Sequence, residues 1–217
     1  MKKGTIILTA IIATYLISCK KNAADAVSSS LDFQLAAVNP SSTVNRAMAT
    51  ITWSSGYANV NQIKFEAKQN GSETEFKSSV HAHVDLFAAA STIGSIHLPT
   101  GTFEEVEFKI EAAASGNDAA FQLQGNVNGI PVVLKVDKDL EIKSEQSQVT
   151  LSGADIALNK IDLSGLTAGL STTDISGALQ TNGTIVISSS SNARLFNAIF
   201  SNLQRQHETD VEVRHGH

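Results

Sequence analysis

His81, His83 and Asp85 stand at alternate positions of an alternating segment, so a regular strand would project all three to one side. A His-x-His pair on a strand can supply two zinc ligands, with Asp85 on the same side. The competing reading is the wet face of a half-buried strand, because no third and fourth ligand or second shell is visible in the sequence. His97 lies just before a Pro-x-Gly turn and could approach that pair. Asp137, Asp139 and Glu141 carry carboxylates suited to calcium, but no glycine-containing ligand loop accompanies them. Lys135 and Lys143 flank them, the pattern of a solvated strand face. His207, His215 and His217 near the C-terminus could scavenge metals weakly. Gly-x-Ser-x-Gly, His-Glu-x-x-His and phosphate-loop patterns are absent from the sequence, so an enzymatic reading must rest on His81, His83, Asp85 and His97.

Cys19 is the chain's one cysteine, which excludes an internal disulfide framework. It follows a short positive segment, Met1-Lys2-Lys3-Gly4, and an apolar run, Thr5 to Ile17, of signal-peptide length. Such a run is too short to cross a bilayer as a stable helix. Leu16-Ile17-Ser18-Cys19 resembles the lipobox of bacterial lipoproteins, which implies cleavage before Cys19 and diacylglyceryl transfer to its sulfur. Two or more acyl chains anchor where one would not, each buried CH₂ contributing about 0.8 kcal/mol. Residues 1–18 form the expected lipoprotein signal peptide. Loss of Lys2 and Lys3 with it leaves 14 of the 16 basic residues against 21 acidic ones, a balance that disfavours nucleic acid as a partner.

The remaining elements must position these residues. Residues 19–30 are polar and rich in Ala and Ser, the composition of a flexible tether. Leu31, Phe33 and Leu35 alternate with polar neighbours, predicting a first strand closed by Asn39-Pro40-Ser41-Ser42. Ala47, Ala49, Ile51 and Trp53 predict a second, Ser54 to Asn59 a loop, and Ile63, Phe65 and Ala67 a third. Phe76 to Leu86 alternates as the strand that carries His81 and His83. Val106, Phe108, Ile110 and Ala112 share one face of the clearest strand, with Glu105, Glu107, Lys109 and Glu111 on the other, after the turn residues Pro99 and Gly101. A turn around Ser115-Gly116-Asn117 leads to a strand from Phe121 to Val127, and Val132 to Ile142 returns. Asn70-Gly71, Asn128-Gly129 and Asn182-Gly183 each suit a type I′ hairpin turn.

Beyond Gln148, Leu151-Ser152-Gly153, Leu163-Ser164-Gly165 and Ile175-Ser176-Gly177 recur twelve residues apart. Only three residues recur, and three short units cannot bury a solenoid core, so these read as element-end turns. Leu195, Phe196, Ile199, Phe200 and Leu203 follow helical spacing behind the possible caps Ser191 and Asn192, and predict a helix that covers its own sheet. The expected fold is mainly β: an antiparallel β-sandwich over residues 31–206 with one C-terminal α-helix packed on it. Residues 207–217 are expected to fray.

Trp53 with Gly56-Tyr57, Ile63-Lys64-Phe65-Glu66-Ala67, Val84-Asp85-Leu86 and Leu98-Pro99-Thr100-Gly101-Thr102-Phe103-Glu104-Glu105-Val106 together resemble Bacteroidota-type β-sandwich lipoproteins of unknown function. The resemblance covers about Leu31 to Ile142 and implies a prealbumin-like or immunoglobulin-like sandwich active in adhesion or surface assembly, with no catalytic residues to carry over. Phe103 stands where that pattern usually has tyrosine. Lys20-Lys21 follows Cys19 in place of the acidic run of surface-exported relatives, which favours a periplasm-facing outer-membrane lipoprotein. The expected function is a lipid-anchored cell-envelope binding, adhesion or assembly module without catalysis or cofactor. Its partners would be the membrane, through Cys19, and an envelope protein or surface ligand. The alternative is a zinc-dependent envelope protein or enzyme using His81, His83 and Asp85.

Overall fold

The computed structural model describes residues 28–38, 51–205 and 211–215. The signal segment, Cys19, most of the tether, the turn at 39–42, Ala47, Ala49, His207 and His217 lie outside them. The chain is mainly β, with two sheets and a helix near the C-terminus, as the periodicity predicts. Its strands are β1 (Ser28–Val38), β2 (Thr52–Gln69), β3 (Ser72–Asp85), β4 (Ser91–Pro99), β5 (Gly101–Ala112), β6 (Phe121–Val127), β7 (Ile130–Val136), β8 (Leu140–Leu151) and β9 (Ala154–Asp162). A 3-10 turn at Gly165–Thr167, α1 (Thr172–Ser176), β10 (Gln180–Thr181), β11 (Thr184–Ile187), α2 (Ala193–Arg205) and β12 (Val211–His215) follow.

The small sheet has the order β12-β9-β1-β4, and the large one runs β10-β11-β7-β6-β2-β5-β8 with β3 beside β2. Pairing is mostly antiparallel; β1 with β9 and β11 with β7 are parallel. Strand β2 is the axis of the large sheet. Tyr57 pairs with Asp85 on one side and Gln122 on the other, while Lys64 pairs with Lys77 and Lys109, so β5 and β6 lie end to end along the same edge of β2. Their return strands repeat the arrangement, β7 against β6 and β8 against β5, with the break at Asp137-Lys138-Asp139. The two halves form one long hairpin, turned at Asn128 and Gly129 (φ 51° and 84°) and interrupted once on each arm.

The expected loop at Ser54 to Asn59 is instead part of β2. Two bulges, after Trp53 and after Val60, absorb the residues that break the alternation. Gly56 permits the tight approach of β6 there, since a Cβ would sit 2.5 Å from Leu123 and 2.6 Å from the Gln122 carbonyl. The first strand starts at Ser28, inside the expected tether, and Val211–His215 of the expected frayed tail pairs with β9. Sequence alone shows only two valines there; the strand is held by the Lys160–Glu212 ion pair, 2.9 Å, and by His215. The spaced Leu-Ser-Gly residues end β8, follow β9 and end α1, and Leu151, Leu163 and Ile175 are all buried.

Between the sheets, Phe33 of β1 meets Phe108 of β5 edge-on, centroids 6.1 Å apart, and Phe65 meets both Phe103 and Phe108. Leu31, Phe33, Leu35, Ile63, Phe65, Phe108 and Ile110 are fully buried. Each large side chain removed from water contributes about 1.5–3 kcal/mol. All five apolar residues predicted for α2 are buried. The helix packs on the 3-10 turn, where Asn202 Nδ2 donates to the Leu166 and Ala168 carbonyls, both 2.9 Å away. Asn192 (φ 52°) precedes it and ties it to the β10–β11 hairpin through Leu179 N, Leu179 O and Val186 O.

The outer face of the large sheet carries rows of like charge running across the strands. Lys77, Lys64, Lys109 and Lys143 stand in register on β3, β2, β5 and β8, and Glu75, Glu66, Glu107 and Glu145 form the next row.

Candidate functional site

The first interruption of the long hairpin leaves a hollow beside the histidines of β3. Residues 113–120 leave the plane as a spur, closed by reciprocal 3.0 Å hydrogen bonds between Ser115 and Asp118 around Gly116 (φ 61°). Asn59 of β2 holds its base. The Asn59 carbonyl accepts from Ala113 N at 3.0 Å, its N–H donates to the Ala120 carbonyl at 2.8 Å, and its Nδ2 donates to the Ala119 carbonyl at 2.8 Å. That last bond fixes the amide, so Oδ1 faces His83 Nδ1 at 2.8 Å. An amide oxygen only accepts; Nδ1 of His83 is therefore the donor of this bond, on an exposed ring. Tyr57 lies against the same ring, centroids 4.4 Å apart. Asn59, Asn61, His81, His83, Ala114 and Ser115 line an open hollow of about 450 Å³.

His81, His83 and Asp85 are exposed, as the alternation predicts, but they do not assemble a metal site. His83 is directed to Asn59, and Asp85 Oδ1 accepts from Phe87 N at 2.9 Å to close the turn after β3. His97 sits in the small sheet opposite Ser30. No group of three His, Cys, Asp or Glu close enough to hold an ion occurs among the described residues. The acids around the second interruption also diverge. Asp137 accepts from Ser189 Oγ at 2.6 Å and Asp139 from Ala114 N at 3.3 Å, while Lys138 Nζ lies 3.7 Å from the Phe200 ring centre. Each residue of Asp137-Lys138-Asp139 thus ties the break to a different element. Trp53 is 3% exposed and offers no stacking platform for a sugar.

A second cluster was not foreseen. Asp155, 1% exposed, accepts from Ser152 N at 3.0 Å and Gly153 N at 3.3 Å, and its Oδ1 is 2.5 Å from His215 Nδ1. Ser29 Oγ lies 3.1 Å from its other oxygen and 2.6 Å from the Gly153 carbonyl. Burial pushes the Asp155 carboxyl up, but the bonds from His215, the two amides and Ser29 outweigh it and hold the pKa below the usual range. A hydrolase triad needs histidine between serine and aspartate. Here aspartate lies between the other two, the order of a structural knot that fastens β1, β9 and β12. Ser29 and Asp155 are far apart in the sequence and carry no periodic signal.

Compared with protein-family profiles, curated proteins and solved structures, the chain matches none.

Proposed function

We propose that this chain is a lipid-anchored binding, adhesion or assembly module of the cell envelope, without catalysis of its own, held to the periplasmic face of the outer membrane through Cys19. The observation that best supports it is the geometry around Asn59. Its hydrogen bonds fix His83 and the spur, and Tyr57 lies against the fixed ring, so the hollow has a preorganised rim of the kind that recognition uses. Placement agrees. Ser28, the first described residue, pairs with Pro99, and Gly101 abuts Gln69, so β1 begins at the Asn70-Gly71 end of β2. Asn59 stands ten positions further along that strand, about 33 Å away, which presents the hollow clear of a membrane at the tether end. Proteolysis of the protein on intact and on lysed cells, beside a Cys19→Ala variant, tests the reading. Protection until lysis with membrane retention lost in the variant is expected; a variant that still pellets with membranes would overturn the anchor.

A further inference from the structure

The longest free strand edge among the described residues belongs to β3. Among the described residues, β2 is the one strand that pairs with it, so its outer edge presents alternate N–H and C=O groups over fourteen residues. Strand β8, with twelve residues, is the other long edge, and β12 borders it across a hollow lined by Gln146, Gln148, Val213 and His215. Strand β10 has two residues, β12 has five, and β4 carries Gly94 and ends at Pro99. Strand β3 contains neither proline nor glycine.

We infer that β3 pairs antiparallel with β3 of a second copy of this chain, about a two-fold axis through Ser78, to join two large sheets edge to edge. The inference does not depend on the function proposed above. Register selects the arrangement. With Ser78 on the axis, Glu75 faces the partner's His81, Glu73 faces the partner's His83, and Phe76 faces the partner's Val80, each pair occurring twice by symmetry. The Glu–His pairs fall on the exposed face and the Phe–Val pairs on the half-buried face. Moving the axis to Lys77 sets that lysine against its own copy. Moving it to Ser79 sets Glu73 against Asp85 and Lys77 against His81. The Ser78 register keeps thirteen residues of each strand paired, Ser72 to Val84, with no like charges opposed.

Sedimentation velocity and oxidative crosslinking of the full chain in detergent test this, in a Cys19→Ala background so that an introduced thiol is the only one. Ser78→Cys should give an interchain disulfide, since residues directly opposite on an antiparallel pair are close enough for one; Ser72→Cys should not. His81→Glu, which opposes two acids twice, should weaken the dimer about tenfold, and Glu75→His with His81→Glu should restore it. A monomeric parent chain, equal crosslinking at positions 72 and 78, or a charge swap without recovery would each overturn the inference.

Discussion

Lys109 on β5 stands directly opposite Lys64 on β2, and each ammonium is bound by a glutamate of the other's strand in a neighbouring row: Lys109 Nζ lies 2.5 Å from Glu66, and 3.0 Å from Glu107 of its own strand, and Lys64 Nζ 2.5 Å from Glu111. Attraction therefore runs along and diagonally between rows. The like-charge neighbours imposed by the register are separated by acids one pleat repeat away.

Removing a half-buried member of this lattice should cost more than removing an exposed one. Lys109 has a 15% exposed side chain between two glutamates, and Lys109→Ala leaves Glu66 and Glu107 facing each other. A loss of about 1–2 kcal/mol is expected, against about 0.5 kcal/mol or less for Lys77→Ala, whose side chain is 60% exposed. Urea unfolding followed by Trp53 fluorescence compares them.

Acid should destabilise the fold in a defined direction. Burial raises Glu107, but hydrogen bonds from Lys143 and Lys109 outweigh it and hold its pKa low; Asp155 is held low in the same sense. Groups depressed in the folded state stabilise it fully above their unfolded values, about 4, and that contribution is lost as pH falls through the folded values. Melting temperature should change little between about pH 7 and 5 and fall below about pH 4. Asp155→Asn should lower it at pH 7 and flatten the acid decline; an unchanged decline would remove Asp155 from the account.

Asn59→Ala should loosen the spur specifically. It deletes the bond to the Ala119 carbonyl and releases His83, for an expected loss of about 1–3 kcal/mol. Hydrogen exchange at residues 113–120 should rise more than in β1 or β9. Uniform acceleration through both sheets would show that Asn59 supports the whole fold and not the spur.

Gly94→Ala should test how closely the sheets approach. A Cβ there would lie 2.7 Å from Val80 and 3.3 Å from Ile63, and overpacking of this kind costs about 1–3 kcal/mol. Recovery in Gly94→Ala with Val80→Ala, read by the same urea midpoint, is the expected outcome.

Strand alternation and the three Asn-Gly pairs carried much of this architecture in the sequence. Asn70, Asn128 and Asn182 all take positive φ (52°, 51° and 52°), as type I′ turns require. The helix was legible because its five apolar residues keep one spacing. The continuity of β2 through Ser54 to Asn59 was not, because bulges break the period of two there, and a serine-rich bulge looks like a loop until its partner strand is known. The outward projection of His81 and His83 followed from parity. Asn59 as the organiser of His83 did not, since its partners at 83, 113, 119 and 120 meet only once β3, β5 and β6 are in place. The Asp155 knot was hidden for the same reason: its bonds to Ser29 and His215 span 126 and 60 residues.

The alternating rows also fix how far the charged face can be felt. Successive rows lie about 6.8 Å apart along extended strands, so the sign pattern repeats about every 14 Å. The potential of such stripes fades over the repeat divided by 2π, about 2 Å, well inside the Debye length of about 8 Å at physiological salt. The Lys77-to-Lys143 row and the Glu75-to-Glu145 row are equal in number, so together they exert almost no pull on a distant ion. A molecule nearing this face feels at a distance only the excess acid of the neighbouring row, Glu111 and Glu141, and then, at contact, a striped surface that distinguishes one alignment of its own charges from the alignment one row along.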